Sequence, residues 1–145
     1  MSTTDKRRWF EYRHLVTFGD TNVVGNVYFT NFFIWQGKSR EALLAQFYPE
    51  IADDLRQGFG MITEFAHQDF SHEAVLFDEI LVRMTVTALS RTRIEFDFEF
   101  LRGKDSKLLS TGKQAVIWTN QQHRSSIMPD KLYHATADYF GISGV

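Results

Sequence analysis

Cysteine is absent from this chain of 145 residues. Its absence excludes disulfides, thiolate-bound zinc, iron–sulfur clusters and a cysteine nucleophile together. It also fits a reducing compartment. Proline is scarce, at two residues, and 43% of the chain is hydrophobic. That composition excludes a disordered, proline-rich segment. No sign of charge dominates: 16 Lys and Arg stand against 18 Asp and Glu, for a net charge of −2. A general binder of nucleic acid needs a basic surplus or stripe, so none is expected as a partner. Long apolar runs are also missing. The apolar clusters break well short of the roughly 20 residues of a membrane span, and residues 1–8 are polar with no secretory-length run behind them. The expectation is a cytoplasmic protein without a membrane partner. Residues 1–145 match a prior of about 150 residues for one domain. No repeat or linker is visible, and residues 141–145 are expected to fray.

What is abundant is Phe, with 14 residues against 3 Trp and 5 Tyr. Period-two alternation marks a first strand, with Phe10, Tyr12, His14, Val16 and Phe18 on one face. Gly19-Asp20-Thr21-Asn22 reads as turn chemistry, and Gly25-Asn26 prolongs the irregular stretch. The spacing then predicts a helix over residues 30–47, capped by Thr30 or Asn31. Ile34, Trp35, Ala42 and Ala45 widen its apolar stripe nearly all round, the mark of a buried helix. Tyr48-Pro49 ends it, and a short helix over 50–57, closed by Gly58, follows. Four more strands are read at 60–69, 78–89, 93–101 and 108–119, with a hairpin turn at Gly103-Lys104-Asp105-Ser106 between the last two. Ala115-Val116-Ile117-Trp118 implies burial on both faces. After Met128-Pro129, Leu132, Tyr133, Thr136 and Phe140 share one helical face.

The fold class is therefore α+β: a curved five-stranded antiparallel sheet wrapped around one long central helix, with the last four strands in a meander. One such unit leaves the outer face and an edge of its sheet to be covered. A second copy is the simplest cover, so at least a dimer is expected.

Residues 14–31 read HLVTFGDTNVVGNVYFTN. They resemble the opening of hot-dog fold acyl thioesterases of the 4-hydroxybenzoyl-CoA thioesterase type, whose pattern is Asp-x-Asp-x-x-Gly-(His/Ile/Asn)-Val-(Tyr/Trp)-(Phe/Tyr)-x-Asn. As a fold, the resemblance covers residues 12–118. Asp20-Thr21-Asn22, Gly25-Asn26-Val27-Tyr28-Phe29, Trp35-Gln36-Gly37, Arg40-Glu41, Phe77-Asp78-Glu79-Ile80 and Val82-Arg83-Met84 are similar to the subgroup that works with enediyne polyketide synthases. That resemblance implies hydrolysis of a polyene β-keto or β-hydroxy acyl thioester from an acyl carrier domain. It implies no cofactor and no metal, and a homo-oligomer, a dimer of dimers.

In the wider family the second acidic position of the motif attacks the thioester carbonyl or acts as its general base. Here that position is Asn22. An amide cannot take a proton from water at neutral pH and is a poor nucleophile. The subgroup also carries Asn there. Asn22 can orient a water or hold the carbonyl; equally, Asn is common in turns. Unsatisfied N–H groups near Tyr28 and Phe29, at the start of the helix, are the candidate oxyanion donors. Arg40 matches the subgroup motif, where the Arg lines the substrate channel. It is read either as a donor to the carbonyl or β-oxygen, or as a structural partner of Glu64 or Glu41 or an exposed edge residue. The Tyr28 hydroxyl could join the same network, or its ring could fill the helix start. Glu64 is the fallback base, with Glu64 or Thr63 expected across the cleft from Asn22. Gly25 belongs to the same substrate-contacting loop. Phe32, Phe33, Phe47, Phe59, Phe65, Phe70 and Phe77 are read as an elongated slot for a flat chain or as ordinary core.

Other motifs are set aside. Gly37-Lys38-Ser39 lacks the upstream Gly of a phosphate loop, and no Gly-x-Ser-x-Gly elbow occurs. His14, His67, His72, His123 and His134 lack metal-ligand spacing. His14 lies on an apolar strand face and is read as a satisfied core histidine. Lys6, Arg7, Arg8, Arg91, Arg93, Arg102, Lys104 and Lys107 are scattered as on a solvated face. Two other functions stand beside carrier-linked hydrolysis: a general acyl-CoA thioesterase, and a non-catalytic acyl-binding partner of a synthase.

Overall fold

Strand β4 (Arg93–Arg102) alternates most strictly. Ile94, Phe96, Phe98 and Phe100 are buried, while Arg93, Glu95, Asp97 and Glu99 between them face outward. That alternation makes β4 the middle strand of a sheet with one apolar face. The computed structural model describes residues 7–142, and around β4 it places β3 (Glu79–Leu89), β5 (Lys107–Thr119), β1 (Phe10–Leu15) and β2 (Gly60–Phe70). Residues 1–6 and 143–145 lie outside the described residues, and so does most of the segment expected to fray. The strand order is β1-β3-β4-β5-β2, antiparallel throughout.

The expected four-strand meander is therefore corrected: only β3, β4 and β5 follow one another. β2 pairs with β5 instead, with Gly60 opposite Thr119 and Phe70 opposite Ser110. The crossing segment supplies the reason. Residues 71–78 pass over the start of the long helix, where Val27 N–H donates to Ala74 O (2.9 Å) and Phe77 N–H to Val16 O (3.0 Å). This carries β3 to the far side, beside β1, so that strands flank the helix on both sides.

That helix, α1, spans Thr30–Phe47. Phe32, Trp35, Gln36, Ser39, Leu43 and Leu44 form its buried stripe. It is not buried nearly all round: Ile34, Lys38, Glu41 and Ala45, spaced four, three and four apart, are exposed. One sheet covers only one side of a cylinder, and this stripe faces away from it. Nor do Thr30 or Asn31 cap it. Phe29 holds the cap position, and Asn31 Nδ2–H donates to Asp20 O at 2.8 Å. Helix α2 (Ile51–Arg56) follows, tied back where Tyr48 Oη–H donates to Asp54 Oδ2 at 2.6 Å. Helix α3 (Asp130–Phe140) buries Leu132, Tyr133, Thr136 and Phe140, as their spacing predicts, and closes on left-handed Gly141.

The outer face of the sheet is laced with ion pairs: Arg83–Glu99 at 2.7 Å, Arg93 with Glu64 and with Glu95 at 2.8 Å, and Lys113–Asp97 at 2.8 Å. A face of this kind is tolerated by water, while β1 and β2 still end the sheet in open edges. Exposed apolar side chains gather instead near the start of α1, at Phe18, Val23, Val24 and Phe77. No described helix is long and apolar enough to cross a membrane.

Candidate active site

The loop between β1 and α1 is anchored by Asp20. Its Oδ2 accepts from His14 Nε2–H (2.8 Å) and from Thr17 N–H (3.0 Å). Burial works to raise the Asp20 carboxyl, but the Thr17 N–H and the His14 ring outweigh it and hold the pKa below the ordinary value. His14 also packs against Trp35, with ring centroids 4.8 Å apart. The satisfied histidine of the sequence reading is thus part of a loop anchor. The Asp20 carbonyl accepts from Tyr28 N–H (2.9 Å) as well as from Asn31, which fixes the last residues before the helix.

Asn22 sits at the exposed turn of this loop. Its Oδ1 accepts from Val24 N–H (3.0 Å) and Asn26 N–H (3.2 Å). Two converging donors settle which end of the amide is oxygen. The Nδ2 donor then points away from the turn and has no partner among the described residues. The turn reading and the carbonyl-holding reading are therefore compatible. Gly25 supplies the positive φ (86°) that the loop needs.

The backbone donors resolve more narrowly than expected. Tyr28 N–H is taken by Asp20, while Phe29 N–H and Thr30 N–H have no partner among the described residues. They lie where the helix dipole is positive. The Tyr28 ring is half-exposed and packs on Phe29 at 5.1 Å. Beside them Phe29, Phe32 and Phe70 line a groove of about 260 Å³.

Arg40 lies on the opposite half of α1. Nη1–H donates to Gln114 Oε1 at 2.7 Å, and Nη2–H reaches exposed Glu41 Oε2 at 3.4 Å. Burial pulls the guanidinium below its ordinary pKa, and Glu41 offsets part of this; an Arg nonetheless stays cationic in proteins. With Glu41 it lines an apolar cleft of about 420 Å³ walled by Leu44, Pro49, Ile51, Leu55 and Met61.

Behind Arg40 runs a chain of buried amides that sequence reasoning missed. Gln114 Nε2–H donates to Gln36 Oε1 (3.3 Å), and Gln36 Nε2–H donates to Gln68 Oε1 (2.6 Å) and His67 O (3.0 Å). Gln68 Nε2–H then donates to Ser110 Oγ. A signal existed in the pattern: Gln36, Gln68 and Gln114 are polar residues at inward positions of α1, β2 and β5.

Glu64 and Thr63 are not where they were expected. Thr63 pairs with Val116 midway along β2, and Glu64 sits in the β-bulge between Thr63 and Phe65. Glu64 turns outward to Arg93, with Oε1 2.8 Å from Nη2. It is Phe70, at the other end of β2, that meets the helix start, through Phe29 and Phe32. The Phe slot also divides. Phe32 belongs to the core with Trp35 and Phe100, Phe47 packs on Tyr139, Phe59 stacks on Trp118, and Phe77 meets Phe18 at the surface. Phe33 and Phe65 are half-buried and line neither groove. Among the described residues no cluster of His, Asp or Glu could hold a metal.

A curved five-stranded antiparallel sheet wrapped on one long helix is the hot-dog architecture. The chain belongs to the Thioesterase-like superfamily, whose sequence profile matches residues 16–136. It is similar to the dynemicin thioesterase, whose crystal structures reveal induced-fit and allosteric effects upon polyene binding. Identity is 35%, with 91% of this chain and 97% of that one covered and a TM-score of 0.83. A 1,4-dihydroxy-2-naphthoyl-CoA thioesterase from Synechocystis shares the fold at 24% identity, with 90% and 97% covered and a TM-score of 0.80. So does the SAV2348 protein of Staphylococcus aureus, solved with CoA, at 16% identity, with 96% and 88% covered and a TM-score of 0.86. A search of curated proteins gave no match. Membership of this enzyme family sets aside a non-catalytic binding partner.

Proposed function

We propose that the enzyme hydrolyses a polyene β-keto or β-hydroxy acyl thioester borne by the acyl carrier domain of an enediyne-type iterative polyketide synthase, in the cytoplasm. The observation that carries this reading is the apolar cleft lined by Arg40. Its walls suit a long acyl chain, and its cation suits an acyl oxygen. The similarity to the dynemicin thioesterase supports a polyene as that chain.

In the reaction a water oxygen bonds to the carbonyl carbon and the carbon–sulfur bond breaks. A water proton passes to the departing thiolate, leaving the free acid and the carrier thiol. Position 22 is an amide, Asp20 is committed to Thr17 and His14, and Glu64 to Arg93, so none of these three supplies the base. Catalysis then rests on orientation and on donors that meet the developing oxyanion. Asn22 Nδ2–H, Phe29 N–H and the Tyr28 hydroxyl supply donors at one end, and Arg40 supplies the cation at the other. Ten residues of helix separate Thr30 from Arg40, a rise of about 15 Å. One acyl thioester meets both ends when a second copy brings its own α1 alongside. The reading therefore includes a homo-oligomer, a dimer of dimers, and its exposed apolar loop at Phe18, Val23 and Phe77 suits such a contact.

The test is thiol release from matched substrates, a polyene on the carrier domain and simple acyl-CoA esters. Faster release from the carrier supports the assignment. Equal or faster release from acyl-CoA replaces it with a general acyl-CoA thioesterase.

A further inference from the structure

Arg40 is a half-buried cation whose only carboxylate neighbour among the described residues is exposed Glu41, 3.4 Å away. Its short bond goes to a neutral amide, Gln114 Oε1 at 2.7 Å. A guanidinium can only donate. Gln114 must therefore turn its oxygen to Arg40 and its nitrogen away, onto Gln36 Oε1. Gln36 in turn points its nitrogen at Gln68 Oε1 and His67 O, and Gln68 its nitrogen at Ser110 Oγ. Each amide thus faces its oxygen toward the cation, so three dipoles align in one sense. Gln36, Gln68, Ser110 and Gln114 are all buried, which makes these dipoles stronger than they would be in water.

The space for the relay is reserved by Gly112. A Cβ there would stand 2.5 Å from Gln36 Nε2, 2.7 Å from Gln68 Oε1 and 3.1 Å from His67 O. The same cation could have been held by a carboxylate, at the cost of cancelling its charge. Amides hold its Nη1 side and add no second carboxylate to that of Glu41.

We infer that Gln114 and Gln36 are positioning residues of the thioester hydrolysis: with Gln68 and Ser110 they fix Arg40 in the cleft by dipoles, so that its guanidinium faces an acyl oxygen. This rests on the role of Arg40 proposed above. Gln114 touches no substrate and acts through Arg40 alone.

The test uses the full chain with decanoyl-N-acetylcysteamine, read by thiol release, in wild type, Arg40→Ala, Gln114→Glu and Gln114→Met. Gln114→Glu keeps an acceptor for Arg40 but cancels its charge. Gln114→Met keeps the volume and removes the acceptor. Both are expected to lower kcat by about 10- to 100-fold, the range spanned by one hydrogen bond to a charged group, with KM changed by less than about threefold. If one variant does not fold, as judged by circular dichroism, the other carries the test. A purely structural relay would alter the melting temperature and leave the kcat of the folded variants intact, and that result overturns the inference. Arg40→Ala separates the two levels. If it keeps full turnover, the role of Arg40 falls. If it loses turnover while folded Gln114 variants keep theirs, only the relay falls.

Discussion

At Asn22 two roles usually offered as alternatives occupy opposite ends of one amide. Oδ1 closes the turn through Val24 and Asn26, and Nδ2 is left to donate. Asp at this position would still accept both N–H groups but could donate nothing. Asn22→Asp is therefore expected to keep the melting temperature of the wild type. Asn22→Ala should lower the melting temperature and lose about 100-fold in turnover, the usual cost of one oxyanion donor, which thermal melts beside thiol-release assays would show. Asp20 gives a separate prediction. Its folded pKa lies below the unfolded value of 3.8, so its contribution to stability is fully present above that value and fades as pH falls through the folded pKa. The melting-temperature gap between wild type and Asp20→Asn should be widest above about pH 5 and shrink below about pH 4. Asn22 and Arg40 could be proposed from the sequence because a motif carries them. The amide relay was not, because its four side chains come from α1, β2 and β5 and meet only in three dimensions. Glu64 misled because the end of β2 that meets the helix start carries Phe70, not Glu64.

Among the elements, β4 was legible to within a residue because its two faces differ in chemistry at every step. The same contrast predicts a contrast in energetics. Phe100 is fully buried, packing on Phe32 and Phe98 with centroids at 5.3 and 6.2 Å. Phe100→Ala should cost about 3–5 kcal/mol in urea unfolding. Lys113→Ala, which removes a 2.8 Å bond to Asp97 on the opposite face, should cost at most about 1 kcal/mol. The partner of β2 was not legible. Local pattern shows that a strand exists but not which edge it joins, and the 71–78 crossing is fixed by backbone bonds to Val16 and Val27 that no periodicity announces. The missing side-chain cap of α1 has the same origin: Asn31 serves the Asp20 carbonyl, and the helix start keeps free N–H groups where a donor is useful.

For the whole molecule, the expectation of a dimer rested on the outer face and an edge of the sheet; the face is an ion-pair lattice, and the edges at β1 and β2 remain. A better ground is the separation of the two clusters along α1, together with the exposed apolar loop at its start. Light scattering at micromolar concentration is expected to show a dimer or a larger assembly; monomers alone would remove the shared site. The account joins an apolar cleft, a cation held by neutral amides and an amide at the position of the wider family's acid, and it stands or falls on whether Arg40 drives hydrolysis. The direct measurement is mass spectrometry of a polyene-loaded carrier domain incubated with wild type and with folded Arg40→Ala. The account predicts free polyene acid and bare carrier with wild type, and release slowed by about 100-fold or more with the variant. Intact thioester with wild type, or equal release by both, would contradict it.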